Sequence, residues 1–157
     1  MTLAFIAIGS NLGDREQNIE RGLERLGRVE GIKLGRVSSL VESEPLNCPP
    51  GSGPFLNGVA RLETTLTARE LLNALLAVEQ VMGRERSEKN APRTLDLDLI
   101  LFGDLVIDES DLQVPHPRMH ERFFVLWPLL QVDSRALDPR TGDPWADAYQ
   151  KLKQPGT

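Results

Sequence analysis

The chain has 157 residues, 40% hydrophobic and 26% charged, which suits one soluble domain spanning 1–157 and leaves little room for a second. A formal net charge of −5 argues against a dedicated nucleic-acid binder, whose phosphate contacts need a basic surface, and points to a small-molecule substrate. The single Cys48 excludes an intrachain disulfide or thiolate cluster, and with no apolar run near the roughly 20 residues of a membrane helix and no basic-then-apolar leader, a cytoplasmic protein without a membrane partner is expected.

Leu3–Ile8 is a short β-prone apolar run, and Gly9-Ser10-Asn11-Leu12-Gly13-Asp14 after it supplies turn formers and helix caps. A helix is predicted from Arg15 to Leu26, with Ile19, Leu23 and Leu26 on one face and Gly27 as its stop. Ile32–Glu42 reads as one long strand. Four prolines and two glycines between Ser43 and Pro54 exclude a helix or a central strand and leave a loop. Phe55–Thr65 alternates with the two-residue period of a strand. Thr67-Ala68-Arg69-Glu70 forms a capping box, and the helix it opens carries Leu71, Leu72, Leu75 and Val78 and ends near Gly83. Arg84–Arg93, polar and containing Pro92, is a second loop, and Leu95–Phe102 is the next strand. The proline-rich remainder from Asp104 carries short helices predicted around Arg118–Leu126 and Trp145–Leu152. This order predicts an α/β (α+β) fold, a ferredoxin-like βαββαβ sandwich with helices on one face of an antiparallel sheet and the C-terminal third as an addition. Such a layout hosts many activities, so function has to come from side chains.

The informative stretch is Pro92-Arg93-Thr94-Leu95-Asp96-Leu97-Asp98-Leu99-Ile100, where acidic and apolar residues alternate. Residues two apart on a strand project to one face, roughly 6.5–7 Å apart. Asp96 and Asp98 therefore point together while Leu95, Leu97 and Leu99 enter the core. Like charges so close raise a pKa or demand a cation, and hard oxygen ligands suit magnesium. Arg84, Arg86, Lys89 and Arg93 cluster just upstream, and guanidinium forks bind phosphate oxygens. Singly, these features are the solvated face of an edge strand and a charged loop offset by Glu85 and Glu88; together they favour phosphoryl chemistry. No GxxxxGK[ST] and no protein-kinase motif set is present, so a nucleotide has to be held another way. His116 and His120 share an i, i+4 spacing, but no HExxH surrounds them.

Pro92–Gly103 as a whole resembles the signature of the hydroxymethyldihydropterin pyrophosphokinases. Ala7–Gly13, Phe55-Leu56-Asn57, Val114-Pro115-His116-Pro117-Arg118-Met119 and Phe124-Val125-Leu126-Trp127-Pro128-Leu129 resemble the same family in the same order, so the likeness runs from Leu3 to about Leu130. The resemblance implies a ferredoxin-like α/β fold and a monomer. It implies ATP as co-substrate, two Mg2+ ions, and 6-hydroxymethyl-7,8-dihydropterin as acceptor, whose hydroxymethyl oxygen attacks the β-phosphorus with AMP leaving, in folate biosynthesis.

By that similarity Asp96 and Asp98 hold both metals, and Arg84 and Arg93 match catalytic-loop arginines. Leu72, Arg86, Arg93, Leu99, His116 and Arg122 match ATP-binding positions. Ser43, Pro45, Leu46, Phe55, Asn57 and Phe124 match the pterin-binding wall. Plainer roles exist for three of these: a strand-start turn for Asn57, a core aromatic for Phe124, a cap for His116. The chain departs from some relatives at Asn90, where a tryptophan can stand, at Phe55 for tyrosine, at Leu76 for a polar residue, and at Asp111 for a basic one. The Ser43–Pro54 and Gly83–Pro92 loops, poor in apolar anchors, are expected to close over substrates and exclude water. Two rival readings use the same residues: a metal-dependent phosphohydrolase that directs water at phosphorus, and a non-catalytic ferredoxin-like binding module.

Overall fold

The computed structural model describes residues 1–44, 53–83 and 95–153. Strand β1 (Thr2–Ser10) leads to α1 (Arg15–Gly27), β2 (Ile32–Val37), β3 (Val41–Ser43), β4 (Phe55–Thr64), α2 (Ala68–Gly83) and β5 (Asp96–Phe102). Then follow β6 (Ile107–Glu109), β7 (Leu112–Val114), a 3-10 turn at Met119–Glu121, α3 (Phe123–Val132) and α4 (Trp145–Lys153). The main sheet runs β2-β4-β1-β5 with every pair antiparallel and β3 continuing along β4, which is the ferredoxin-like arrangement the element order predicts. None of the helices among the described residues is long and apolar enough to cross a membrane.

Local signals explain the helix starts. Asp14 accepts from the Gln17 backbone N–H and caps α1. Thr67 and Glu70 make the reciprocal capping-box bonds, 2.9 Å from Thr67 N to Glu70 Oε1 and 3.1 Å from Glu70 N to Thr67 Oγ1.

The alternation of β1 decides the layers. Ala4, Ile6 and Ile8 pack with Ile19 and Leu26 of α1, with Leu71, Leu75 and Val78 of α2, and with Leu95, Leu97 and Leu99. Phe5 faces the other way, into a second core with Val59, Ile100, Val125, Leu126 and Leu129. Helices therefore cover both faces of the sheet, not the single face expected, because α3 and α4 bury the side that α1 and α2 leave. Each such fully buried Leu or Ile side chain contributes about 1.5–3 kcal/mol.

Three boundaries differ from the sequence reading. The strand expected over Ile32–Glu42 is broken into β2 and β3. Ser38 exchanges bonds with Val59 through its backbone N–H and its hydroxyl, and Ser39 N–H is captured by Gln131 Oε1 at 2.8 Å. The helix expected around Arg118–Leu126 is a 3-10 turn followed by α3, which continues through Pro128 to Val132. Pro128 gives up one helical hydrogen bond, yet the apolar burial of Val125, Leu126, Leu129 and Val132 carries the helix past it. The β6–β7 hairpin has no counterpart in the sequence pattern, since three-residue strands carry too little periodicity to read.

Gly22 of α1 lies against Leu95, the residue before β5: a Cβ there would stand 2.5 Å from Leu95 Cδ2 and 3.0 Å from Cδ1. Leu95 is 1% exposed and has nowhere to swing. Overpacking costs about 1–3 kcal/mol, against about 1 kcal/mol gained in helix propensity. Gly22→Ala is thus expected to lower the melting temperature by several degrees in a thermal melt.

Candidate active site

On the face covered by α3, β1 presents Phe5, Ala7 and Gly9, side chains that shrink toward the strand's end. The register then sets two rows across the sheet: Asn57, Gly9 and Asp96, and one step along, Val59, Ala7 and Asp98. Cross-strand partners share a face, so the missing side chain of Gly9 leaves a hollow flanked by Asn57 and Asp96. A Cβ at Gly9 would come within 3.1 Å of Asn57 Oδ1 and 3.5 Å of Phe55 Cδ1. The hollow is a cavity of about 250 Å³ bordered by Ser43, Phe55, Asn57, Asp96, Asp98, Arg122 and Phe124.

Asn57 is 9% exposed, and its amide nitrogen donates to Ser43 Oγ at 2.8 Å, to Val41 O at 3.2 Å and to Phe55 O at 3.4 Å. It sits within β4 as a strand residue, not a turn residue, and fastens β3. Its Oδ1 faces the Gly9 hollow as an acceptor. Arg122 stacks its guanidinium 5.8 Å from the Phe124 ring centroid, and Phe123 meets Phe124 edge-on, also at 5.8 Å. Phe124 is half-buried, packing against the second core while bordering the cavity.

A second cavity, about 380 Å³, opens on the other side of β5 between α2 and the β6–β7 hairpin. Leu72 and Leu76 of α2, Leu99 of β5 and Leu112 of β7 give it apolar walls, and His116 also lines it. Asp96 and Asp98 border both cavities. Asp111 also lines the second cavity and is held there by Arg69, 2.7 Å from Nη1 to Oδ2, while Arg69 pairs with Glu109 as well. Arg122, expected with the nucleotide set, borders the Phe124 cavity and is near enough to His116 for its charge to act on that imidazole.

His116 reaches the site through a bulge. Between Phe5 and Ile6 the β1–β5 register slips, which sets Ile100 apart from the ladder, and the Ile100 carbonyl accepts the His116 backbone N–H at 3.0 Å. The Arg118 backbone N–H points at His116 Nδ1, 3.3 Å away, so Nδ1 is the acceptor and Nε2 carries the proton. Burial, then the positive charge of Arg122, pull the imidazole down from 6.5 to about 4; Asp96 opposes this, and Arg118 adds to it. His116 is therefore neutral at physiological pH and offers an N–H without a full charge. A folded pKa below the unfolded one means the unfolded chain takes the proton first. The stability His116 contributes is complete above pH 6.5 and is lost as pH falls toward about 4. The expected result is an imidazole proton resonance titrating near pH 4 in the ligand-free protein, and a shallower acid loss of melting temperature in His116→Asn.

Of the residues expected from sequence, Ser43, Phe55, Asn57, Phe124, Asp96 and Asp98 share the first cavity, and Leu72, Leu99 and His116 share the second. Pro45, Leu46, Arg84, Arg86, Asn90 and Arg93, with most of both predicted loops, lie outside the described residues. Sequence reasoning missed Glu44 at the first cavity and Glu79 at the second. The signal for Glu79 was its spacing: with Leu72 and Leu76 it forms an i, i+4, i+7 stripe on α2.

Residues 5–134 match the family model described as 7,8-dihydro-6-hydroxymethylpterin-pyrophosphokinase (HPPK). A 2-amino-4-hydroxy-6-hydroxymethyldihydropteridine pyrophosphokinase of Pseudomonas aeruginosa is 44% identical over 138 residues, 87% of this chain and 85% of that protein. The protein of the same name from Synechocystis is 41% identical over 139 residues, 88% of this chain and 70% of that one. Folic acid synthesis protein fol1 of Schizosaccharomyces pombe is 38% identical over 154 residues, 98% of this chain, which spans only 21% of the fission-yeast protein. Among solved structures, a Plasmodium falciparum HPPK-DHPS superposes with a TM-score of 0.74 at 13% identity, over 96% of this chain and 44% of that one, a likeness of fold.

Proposed function

The chain belongs to the 7,8-dihydro-6-hydroxymethylpterin-pyrophosphokinase family, and from that premise we propose how its residues divide the transfer of pyrophosphate from ATP to the hydroxymethyl group of 6-hydroxymethyl-7,8-dihydropterin, giving AMP and the pterin diphosphate in folate biosynthesis. The observation that carries this division is that Asp96 and Asp98 border two cavities at once. A carboxylate pair between two substrates stands where a group must pass from one to the other.

The pterin takes the first cavity. Phe55 and Phe124 supply aromatic faces for a flat heterocycle, and Asn57 Oδ1 accepts from its ring N–H groups, its own amide nitrogen already being spent on Ser43 and Val41. ATP takes the second, its adenine against Leu72, Leu76, Leu99 and Leu112. Neutral His116 donates Nε2–H to a phosphate oxygen. Arg122, beside Phe124, reaches the transferring phosphate from the pterin side and neutralises charge there.

Asp96 and Asp98 suit Mg2+, which is bound through one or two carboxylates plus substrate phosphates, not in a cage of protein ligands. Among the described residues, no third His, Cys, Asp or Glu completes such a cage. Two Mg2+ ions, when bound, neutralise oxygens around the β-phosphorus. Arg84 and Arg93 are assigned to the transferring phosphates, Arg86 to the nucleotide, and Pro45 and Leu46 to the pterin wall, on the family likeness of their positions. The chain acts as a monomer in this reading.

Product analysis by ion-exchange chromatography tests the proposal. ATP and Mg2+ should yield AMP only when the pterin alcohol is added. ADP and phosphate released without pterin would mean that water is the acceptor, as in the phosphohydrolase reading.

A further inference from the structure

Among the described residues, strand β5 is hydrogen-bonded to β1 alone, and its other edge has no described strand beside it. In an antiparallel ladder successive residues turn their backbone groups alternately to the partner and away from it. Asp96 and Asp98 pair with Gly9 and Ala7 of β1, and Leu97 between them turns its N–H to the open edge. A side chain takes the place of a strand there: Glu79 of α2 accepts the Leu97 N–H through Oε2 at 2.6 Å. A charge-assisted bond of this length holds its donor more stiffly than a neutral one.

The peptide joining Asp96 to Leu97 is thereby held from three directions: the β1 ladder on one side, the buried Leu97 side chain below, and Glu79 on the other side. Both aspartates extend from that peptide and its neighbour. We propose that Glu79 is a positioning residue, which fixes the backbone between Asp96 and Asp98 so that their carboxylates converge on a divalent cation. This rests on the metal reading of the two aspartates given above. Glu79 also borders the nucleotide cavity, so the competing role is a direct one, in which its negative charge and not its grip on Leu97 matters.

The two roles separate on substitution. Glu79→Gln keeps an acceptor oxygen for Leu97 and loses the charge; Glu79→Ala loses both. Mn2+ is titrated by electron paramagnetic resonance into the full chain with a non-transferable ATP analogue, and Leu97 amide exchange is followed by NMR. Outer contacts of metal ligands are worth about 10–100-fold in metal affinity. Glu79→Ala should weaken Mn2+ binding by about that factor and expose the Leu97 amide to exchange, while Glu79→Gln stays close to wild type on both. Should Glu79→Ala melt too early to titrate, Glu79→Asp, one methylene too short to reach Leu97, makes the same comparison. Unchanged Mn2+ affinity in Glu79→Ala or Glu79→Asp overturns the proposal alone, and so does a loss in Glu79→Gln equal to that in Glu79→Ala. Wild type that binds no Mn2+ overturns the metal reading and the proposal with it.

Discussion

Asp98→Ala and Asp96→Ala are each expected to lower kcat for pterin-dependent AMP formation about a thousandfold, equal to ~4 kcal/mol of transition-state stabilisation. The size follows from position. Each carboxylate borders both cavities, so neither can be replaced by a group on one substrate's side alone. The fold should survive, because the side chains next to them, Leu95, Leu97 and Leu99, carry the packing on the opposite face and are untouched. The corresponding asparagine variants should lose the rise in melting temperature that Mg2+ and an ATP analogue give wild type. Steady-state kinetics and thermal melts check both parts. A variant that keeps its activity would leave the pair as surface charges.

Asn57→Ala is expected to weaken pterin binding about 100-fold, measured by titrating the pterin into the protein loaded with an ATP analogue. Two losses combine. The ligand's N–H groups would face a cavity wall without an acceptor, a buried unmade bond worth about 1–3 kcal/mol. The same substitution unfastens β3, since Asn57 holds Val41 O and Ser43 Oγ, and Ser43 forms part of that wall. ATP-analogue affinity should be little changed, because the second cavity lies across β5. A parallel loss of ATP affinity would contradict the separation of the two cavities.

Much of this was legible in the sequence, for physical reasons that can be named. Asp96 and Asp98 alternate with Leu95, Leu97 and Leu99, and that period alone sends acids one way and apolar groups the other. The Thr67–Glu70 box and the Asp14 cap are short-range chemistry that tertiary structure did not override. What failed depends on contacts distant in sequence. Ser38 and Ser39 suit a strand until Val59 and Gln131 take their polar groups. Pro128 signals a stop, yet it lies inside α3, whose burial against the sheet outweighs one lost bond. The slip in register that leaves the Ile100 carbonyl for His116 N–H has no signature in composition.

The site divides the same way. Phe55, Asn57 and Phe124 were named from the likeness of their segments, but the reason they surround a hollow is the run Phe5, Ala7, Gly9 on β1, a taper visible only once the face is known. Glu79 reads as a solvated helix position until the open edge of β5 is placed beside it. The arginines expected on the transferring phosphates, Arg84 and Arg93, lie outside the described residues.

The most direct test of the central claim is a crystal structure of the protein with 6-hydroxymethyl-7,8-dihydropterin, Mg2+ and a non-transferable ATP analogue. The pterin should lie between Phe55 and Phe124, the adenine against Leu72 and Leu99, and cations should touch the carboxylates of Asp96 and Asp98 between them. Cations bound away from both aspartates, or a pterin lodged in the Leu72–His116 cavity, would contradict the claim.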